Sequence, residues 1–168
     1  MNRMFIIIGV IVTILSGCIF FPNPPKPEIT HGEFPFRLTY EIDKQFFEVE
    51  DTLICDYDGF GANEARGKYR QWKSRLASGN TRITLFIGDE IEIFFSPNIS
   101  NLAAGAFYMG DTEMYSSITY PFPDAWYSKN FNPQKPQAYI ISADEMLEKY
   151  KIRLISWEIS EPIQNTFK

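Results

Sequence analysis

The sequence contains little cysteine and little histidine. Two cysteines, Cys18 and Cys55, and one histidine, His31, occur in 168 residues. A zinc site of the usual kind takes several His and Cys ligands, and a nucleophilic hydrolase usually has a base beside its nucleophile. The sequence therefore predicts neither a zinc site nor a histidine-dependent hydrolase, and no catalytic residue is assigned.

The chain also lacks an excess of positive charge. It has 16 Lys and Arg residues against 21 Asp and Glu, a formal net charge of −5. Proteins that bind nucleic acid draw most of their non-specific affinity from basic contacts to phosphates. Glycine-rich phosphate loops of the GxxxxGK[ST] and GxGxxG kinds do not occur either. We predict no nucleic-acid partner.

No apolar run is long enough to be a convincing transmembrane helix. The apolar stretch at residues 5–15 is eleven residues long, whereas a spanning helix needs about 20 residues. A run of this length that follows a basic residue, Arg3, is typical of the hydrophobic part of a secretion signal. Residues 1–17 are therefore predicted to be a removable signal peptide.

The residues at the end of this run are Leu-Ser-Gly-Cys, at positions 15–18. They resemble the lipobox of bacterial lipoproteins, in which the cysteine thiol receives a diacylglyceryl group. The resemblance implies a covalent lipid on Cys18, and two or three acyl chains attach a protein stably to a membrane. The alternatives are an ordinary signal peptide with a chance cysteine, and an uncleaved anchor that extends to residue 21. The ordered small-small-cysteine triplet favours lipidation.

The residues after Cys18 are rich in proline. Four prolines fall within residues 22–27, and such a stretch favours extended polyproline II at about 3.1 Å per residue. We predict a tether over residues 18–33 that lifts a single domain, residues 34–168, off the bilayer. His31 lies in this tether and is expected to be mobile.

Short segments of the mature chain suggest a second resemblance. They are Gly-Glu-Phe-Pro-Phe at 32–36, Leu-Thr-Tyr-Glu at 38–41, Cys-Asp-Tyr-Asp-Gly at 55–59 and Tyr-Met-Gly at 108–110. They resemble small uncharacterised lipoproteins of Gram-positive bacteria. This resemblance implies no activity, but it implies a location on the outer face of the cell membrane. In a bacterium with two membranes, a lipoprotein with Ile19 rather than the aspartate retention signal after the lipidated cysteine resembles those that are sorted to the outer membrane.

Alternating apolar residues predict a domain built mostly of strands. Aromatic residues, at 16% of the chain, add to that preference. The predicted strands cover residues 34–42, 47–58, 83–87, 91–95, 138–141 and 152–159. Residues 68–76 are ambiguous between a strand and a short helix, and a strand or irregular segment is favoured. The expected fold is mostly β, an antiparallel sandwich or partly open barrel with one short helix near the C-terminus.

Local signals refine this prediction. A turn is expected at residues 43–45, a bulge or bend at residues 50–51, and a two-residue type II′ turn at residues 88–89. Residues 97–136 are expected to be mostly loop, with two short strands. 

The C-terminal part carries a helix signal. Ser142 and Glu145 form a capping box, which predicts a helix over residues 143–150. The alternation of the last strand slips at residues 154–155. Cys55 has no disulfide partner and is interpreted as a small buried apolar residue.

An acidic segment in the first half of the chain is a candidate metal site. Its oxygen donors are Asp56, Asp58, Asn63 and Glu64. Alignment with an EF-hand puts Gly61 at the turn position, but Phe60 and Gly67 fall where the fifth and twelfth ligands belong. The segment is interpreted as a solvated turn, with calcium binding as the alternative. Apart from the lipid, no other cofactor is predicted.

A second candidate site is rich in aromatic residues. Eight aromatic residues lie between 107 and 131, and such rings can stack on sugars or pack against a protein partner. The candidate ligand-binding residues are Tyr108, Tyr120, Trp126 and Tyr127. The alternative is that these rings complete the core.

These observations predict a membrane-anchored envelope lipoprotein that binds or scaffolds a partner and is not an enzyme. The expected partners are the membrane, through the lipid, and an envelope protein or glycan. One alternative is a carbohydrate- or peptide-binding module that uses the aromatic segment. Another is a carboxylate-based envelope hydrolase, because sequence does not set the distance between two acidic groups.

Overall fold

The computed structural model describes residues 22–63, 67–88, 91–95, 101–111, 125–129 and 138–168. Within these residues the chain forms two four-stranded antiparallel sheets and two short helices, one of them near the C-terminus. The predicted mostly-β fold is confirmed.

The first sheet has the strand order β3-β2-β1-β8 and the second the order β4-β5-β6-β7. The first sheet consists of β1 (His31–Ile42), β2 (Gln45–Asn63), β3 (Gly67–Leu76) and β8 (Ile152–Ile159). The second consists of β4 (Ile83–Ile87), β5 (Ile91–Phe95), β6 (Ala125–Lys129) and β7 (Ala138–Ile140). The helices are α1 (Asn101–Tyr108) and α2 (Ala143–Tyr150).

Alternation along each strand builds the core. In β1, every second residue from Phe34 to Tyr40 is buried, while Arg37 and the other residues between them face outward. The side chains of both sheets meet in one cluster that includes Phe34, Phe36, Leu38, Leu53, Trp72, Ile93, Phe95 and Ile152. Because alternate side chains of a strand point to opposite faces, the alternation in the sequence predicts which residues of β1 enter the core.

The turn predicted at residues 43–45, which joins β1 to β2, is confirmed. Asp43 and Lys44 both have positive φ, 49° and 69°, as a type I′ turn requires. The predicted bulge or bend at residues 50–51 is wrong, since β1 and β2 pair without interruption through these positions. Asp51 can stay in the ladder because its carboxylate accepts hydrogen bonds from the backbone of Thr52 and Ser78.

The C-terminal predictions are confirmed. Ser142 caps α2 by accepting a hydrogen bond from the Glu145 N–H at 3.2 Å. In β8, Leu154 pairs with Tyr40 and Ser156 pairs with Thr39, so Ile155 is an extra residue in the ladder. This bulge explains the slip in the alternation.

The region after β3 contains a helix where the sequence predicts loop. In the hairpin between β4 and β5, Ile87 pairs with Glu92 and the Gly88 N–H donates to Ile91 O at 2.8 Å, while Asp89 of the predicted type II′ turn lies outside the described residues. Helix α1 was predicted as loop, because its short apolar segment has no clear helical period. It is held by packing against β3: a Cβ on Gly105 would lie 2.8 Å from the Trp72 Cβ. Of the two strands predicted in 97–136, β6 is present, and the rest of that range is described only over α1 and residues 109–111.

Candidate functional site

The predicted lipid attachment site, Cys18, lies outside the described residues. In the part of the chain that is described, neither helix has the length and apolar character to cross a bilayer. The lipid anchor therefore stays a prediction.

The candidate calcium segment forms part of a strand. Asp56 and Asp58 lie in β2, which continues to Asn63, so the interpretation of a solvated turn is wrong. The Asp56 carboxylate lies 2.7 Å from His31 Nδ1 and 3.7 Å from Arg75 Nε, and Asp58 lies 2.8 Å from Lys73 Nζ. The strand is irregular here, since its pairing with β3 shifts register between Tyr57 and Phe60 and Gly59 has φ 89°.

These ion pairs engage the two described carboxylates with cations of the same sheet. The Asn63 side chain and Glu64 lie outside the described residues. Over the described ranges, no three His, Cys, Asp or Glu residues are grouped so that they could hold a metal ion. Calcium binding by the full segment stays a prediction.

His31 is the first residue of β1, so the expectation that it is mobile is wrong. Its ring nitrogens lie 2.7 Å from Asp56 Oδ1 and 3.3 Å from Glu33 Oε1. Hydrogen bonding to Asp56, and then to Glu33, raises the pKa of His31 above its usual 6.5. The side chain is half exposed, so this pair is a surface interaction that salt screens.

We expect the imidazole of His31 to titrate above pH 6.5, and the Asp56→Asn variant to lower that pKa. Because the folded pKa exceeds the unfolded one, the pair stabilises the fold fully below the unfolded pKa and loses this effect as pH rises through the folded pKa. Since His31 is the only histidine, its Cε1–H signal in an NMR titration is unambiguous. The control is Asp58→Asn, whose carboxylate pairs with Lys73. An equal shift in both variants would contradict the assignment.

The four candidate aromatic residues do not come together on one surface. Tyr108 ends α1, with its ring 5.0 Å from Phe34, and Tyr127 also packs against the core. Trp126 precedes Tyr127 in β6 and therefore points to the opposite face of the sheet. Tyr120 lies outside the described residues. For Tyr108 and Tyr127 the structure favours the core interpretation, and ligand binding by any of the four stays a prediction.

Cys55 is fully buried in β2, as the sequence predicted. Burial, with a smaller effect from the charge of Asp56, raises the pKa of its thiol to about 12. A thiol in this state is mostly protonated at neutral pH and is a poor nucleophile. His31 and Asp56 lie on the outer face of the sheet, opposite to Cys55 in the core, so Cys55 and His31 do not form a catalytic pair.

A buried ion cluster that sequence reasoning missed lies inside the domain that follows the tether, here called the head. Arg70 binds Asp111 through two hydrogen bonds, Nε to Oδ2 at 2.7 Å and Nη2 to Oδ1 at 2.6 Å. The Trp72 Nε1–H donates to the same carboxylate at 3.0 Å. The Arg70 and Asp111 side chains are 6% and 0% exposed. The bidentate geometry and the additional donor compensate the cost of burying both charges.

Local structure places Asp111 in this cluster. Helix α1 ends in a Schellman motif, in which the Asp111 N–H donates to Ala106 O at 2.7 Å and the Gly110 N–H to Phe107 O at 3.1 Å. Gly110 has φ 71°, the left-handed conformation that glycine adopts readily. The turn directs the chain back toward β3, where Arg70 lies on the inner face of the sheet.

The buried ion cluster also contacts residues near both ends of the described chain. Arg70 Nη1 donates to Pro25 O at 3.2 Å, and the Arg70 guanidinium lies 4.1 Å from the Phe167 ring centroid. Pro27 forms a bridge with Phe167 and is buried. The last part of the predicted tether is therefore packed on the head, and β1 begins three residues before the predicted domain boundary.

A shallow groove of about 670 Å³ lies on the outer face of the first sheet. Three acidic residues line it, Glu50, Asp51 and Glu158, together with Arg37. Arg37 Nε donates to Glu50 at 2.9 Å, and Asp51 accepts from the Ser78 hydroxyl at 2.5 Å. Two of the three carboxylates thus have structural partners. The hydrolase alternative finds no independent support in this groove and stays untested.

No protein-family model matches the chain, and the searches of curated proteins and of solved structures found no match either.

Proposed function

We propose that this protein is a lipid-anchored envelope protein whose β-sandwich head binds or scaffolds a component of the cell envelope without catalysing a reaction. The observation that carries the proposal is the Leu-Ser-Gly-Cys motif at residues 15–18 directly after a short apolar run. Its position supports the proposal as well, since Cys18 precedes by seven residues the first backbone group, Pro25 O, that the head binds.

The chemistry of the head supports a non-enzymatic role. The buried thiol of Cys55 has a raised pKa, and the imidazole of His31 is engaged by Asp56 and Glu33. The charged outer face of the first sheet is covered by cross-strand ion pairs, among them Arg37 with Glu50 and Lys73 with Asp58. A polar surface of this kind suits a solvated head held at a membrane surface.

The proposal is tested by metabolic labelling of the expressed full chain with a palmitate analogue. We expect the Cys18→Ser variant to lose essentially all label and to accumulate as the longer precursor, because the acceptor thiol is gone. The matched control is Cys55→Ala, which removes the other cysteine and should label like the unchanged protein. Label that persists in Cys18→Ser would refute the lipid anchor, as would a wild-type precursor that is never processed.

A further inference from the structure

We propose that the C-terminal segment, residues 163–168, is a strap that fastens the tether to the head and so sets how far the head reaches from the membrane. The strap itself follows from contacts of described residues. Its effect on reach rests on the proposed lipid at Cys18.

The strap binds the tether mainly through Asn165. Its side-chain Oδ1 accepts hydrogen bonds from the N–H groups of Glu28 and Ile29, both at 3.1 Å, and its Nδ2 donates to Ile29 O at 2.7 Å. One amide side chain thus satisfies three backbone groups on the other segment. An alanine at this position would leave all three without that partner.

Backbone and charged contacts continue the strap on both sides of Asn165. The Glu28 N–H also donates to Thr166 O at 3.1 Å, and the Lys168 N–H to Lys26 O at 3.3 Å. The Glu28 carboxylate binds the Thr166 hydroxyl and the Lys168 ammonium. Together with those of Asn165, these contacts join residues 26–29 to residues 165–168.

Two further contacts connect the strap to the interior of the head. The ring of Phe167 lies against the guanidinium of Arg70, which also binds Pro25 O. At the other end of the strap, the Ile163 N–H donates to Tyr108 O at 2.8 Å. The strap is therefore held by the buried ion cluster and by α1, and the tether is held by the strap and, at Pro25, by Arg70 directly.

This arrangement shortens the free part of the tether. With the strap closed, seven peptide units separate Cys18 from Pro25, which span at most about 25 Å. With the strap open and Pro25 released from Arg70, the chain would be free as far as Thr30, whose carbonyl accepts from the Tyr57 N–H at 2.8 Å. Thr30 is twelve units from Cys18, which span at most about 43 Å. Closing the strap removes about 18 Å of reach and keeps the end of the head that contacts Pro25 and Lys26 toward the bilayer.

Hydrogen exchange followed by NMR or mass spectrometry on the full chain in detergent tests the strap. In the unchanged protein we expect the amides of Glu28 and Ile29 to be protected. In Asn165→Ala the amide of Ile29, which loses its acceptor, should exchange about tenfold faster, while the amide of Glu28 keeps Thr166 O as an acceptor and should change less. Leu38 in β1 should be unchanged and serves as a monitor of the fold. The matched control is Gln164→Ala, an adjacent amide whose side chain is exposed. It should leave both rates as they are.

Unprotected Glu28 and Ile29 amides in the unchanged protein would overturn the strap without reference to any variant. Equal rates in Asn165→Ala and Gln164→Ala would overturn the role of Asn165. If palmitate labelling fails but the amides of Glu28 and Ile29 are protected, the strap is supported and the lipid anchor is refuted.

A second arm measures reach in nanodiscs, by energy transfer from a dye at Gln45→Cys to labelled lipid. Gln45 is exposed and is the first residue of β2, where it pairs with Ile42 at the opposite end of β1 from His31, while buried Cys55 does not compete for the dye. We expect Asn165→Ala to give a longer and broader distance distribution than Gln164→Ala. Identical distributions would refute the effect of the strap on reach.

Discussion

Replacing Asp111 with alanine is expected to lower the free energy of unfolding by about 3–5 kcal/mol. The variant leaves the guanidinium of Arg70, which is 6% exposed, without its bidentate partner. It also removes the acceptor of the Trp72 indole N–H. An unpaired buried charge costs more than the pair contributes, because the desolvation of Arg70 remains while its compensation is lost. Urea unfolding followed by tryptophan fluorescence measures the loss.

Asp56→Ala is the matched control for this prediction. It also removes an aspartate paired with an arginine, but Asp56 and Arg75 are 42% and 59% exposed. Water solvates the cations that remain, so the expected cost is below about 1 kcal/mol. Similar losses in the two variants would show that Arg70 finds another partner or reaches solvent when Asp111 is absent.

The strands and α2 were predictable because their signals are local. The alternation from Phe34 to Tyr40 matches the buried face of β1, and Ser142 caps α2 with the bond expected of a capping residue. Even the bulge at Ile155 left a visible break in the alternation. In each case a few neighbouring residues carry the information, and long-range packing agrees with them.

The buried ion cluster was not predicted because it joins distant parts of the chain. Arg70 and Asp111 are 41 residues apart, and charged residues are rarely buried unless paired. A partial signal did exist, since Arg70 shares its strand parity with Trp72 and Leu76, which are buried. The partner was not deducible, because α1 and its Schellman turn depend on packing against β3 rather than on a helical period.

The candidate aromatic surface shows a different limit of the sequence. The prediction places residues that are close in sequence on one surface, but neighbouring residues of a strand face opposite sides, as Trp126 and Tyr127 do in β6. The candidate calcium segment failed as a turn for a related reason. The acidic residues from 56 onward suggest a solvated turn, although the predicted strand runs to Asp58. Strand β2 continues to Asn63, and Asp56 and Asp58 each pair with a cation from an adjacent strand.

The second large effect is expected at Gly110, where alanine should lower the free energy of unfolding by about 3–4 kcal/mol. Two causes add. Gly110 has φ 71°, which costs an alanine about 1–2 kcal/mol, and an added Cβ would lie 2.5 Å from Ile163 O and 3.0 Å from Asn165 N. Both of these atoms are backbone, so the strap must shift to make room. Urea unfolding measures the total.

Gly79→Ala separates the two causes. Gly79 has φ 80°, and a Cβ there meets nothing within 4 Å, so only the conformational cost of about 1–2 kcal/mol applies. The excess cost at Gly110 then measures the displaced strap. The same displacement should make the amide of Ile29 exchange faster in Gly110→Ala than in Gly79→Ala, because Asn165 would no longer be positioned to accept its hydrogen bond. Equal unfolding losses in the two variants would mean that the strap yields to a methyl group at little cost.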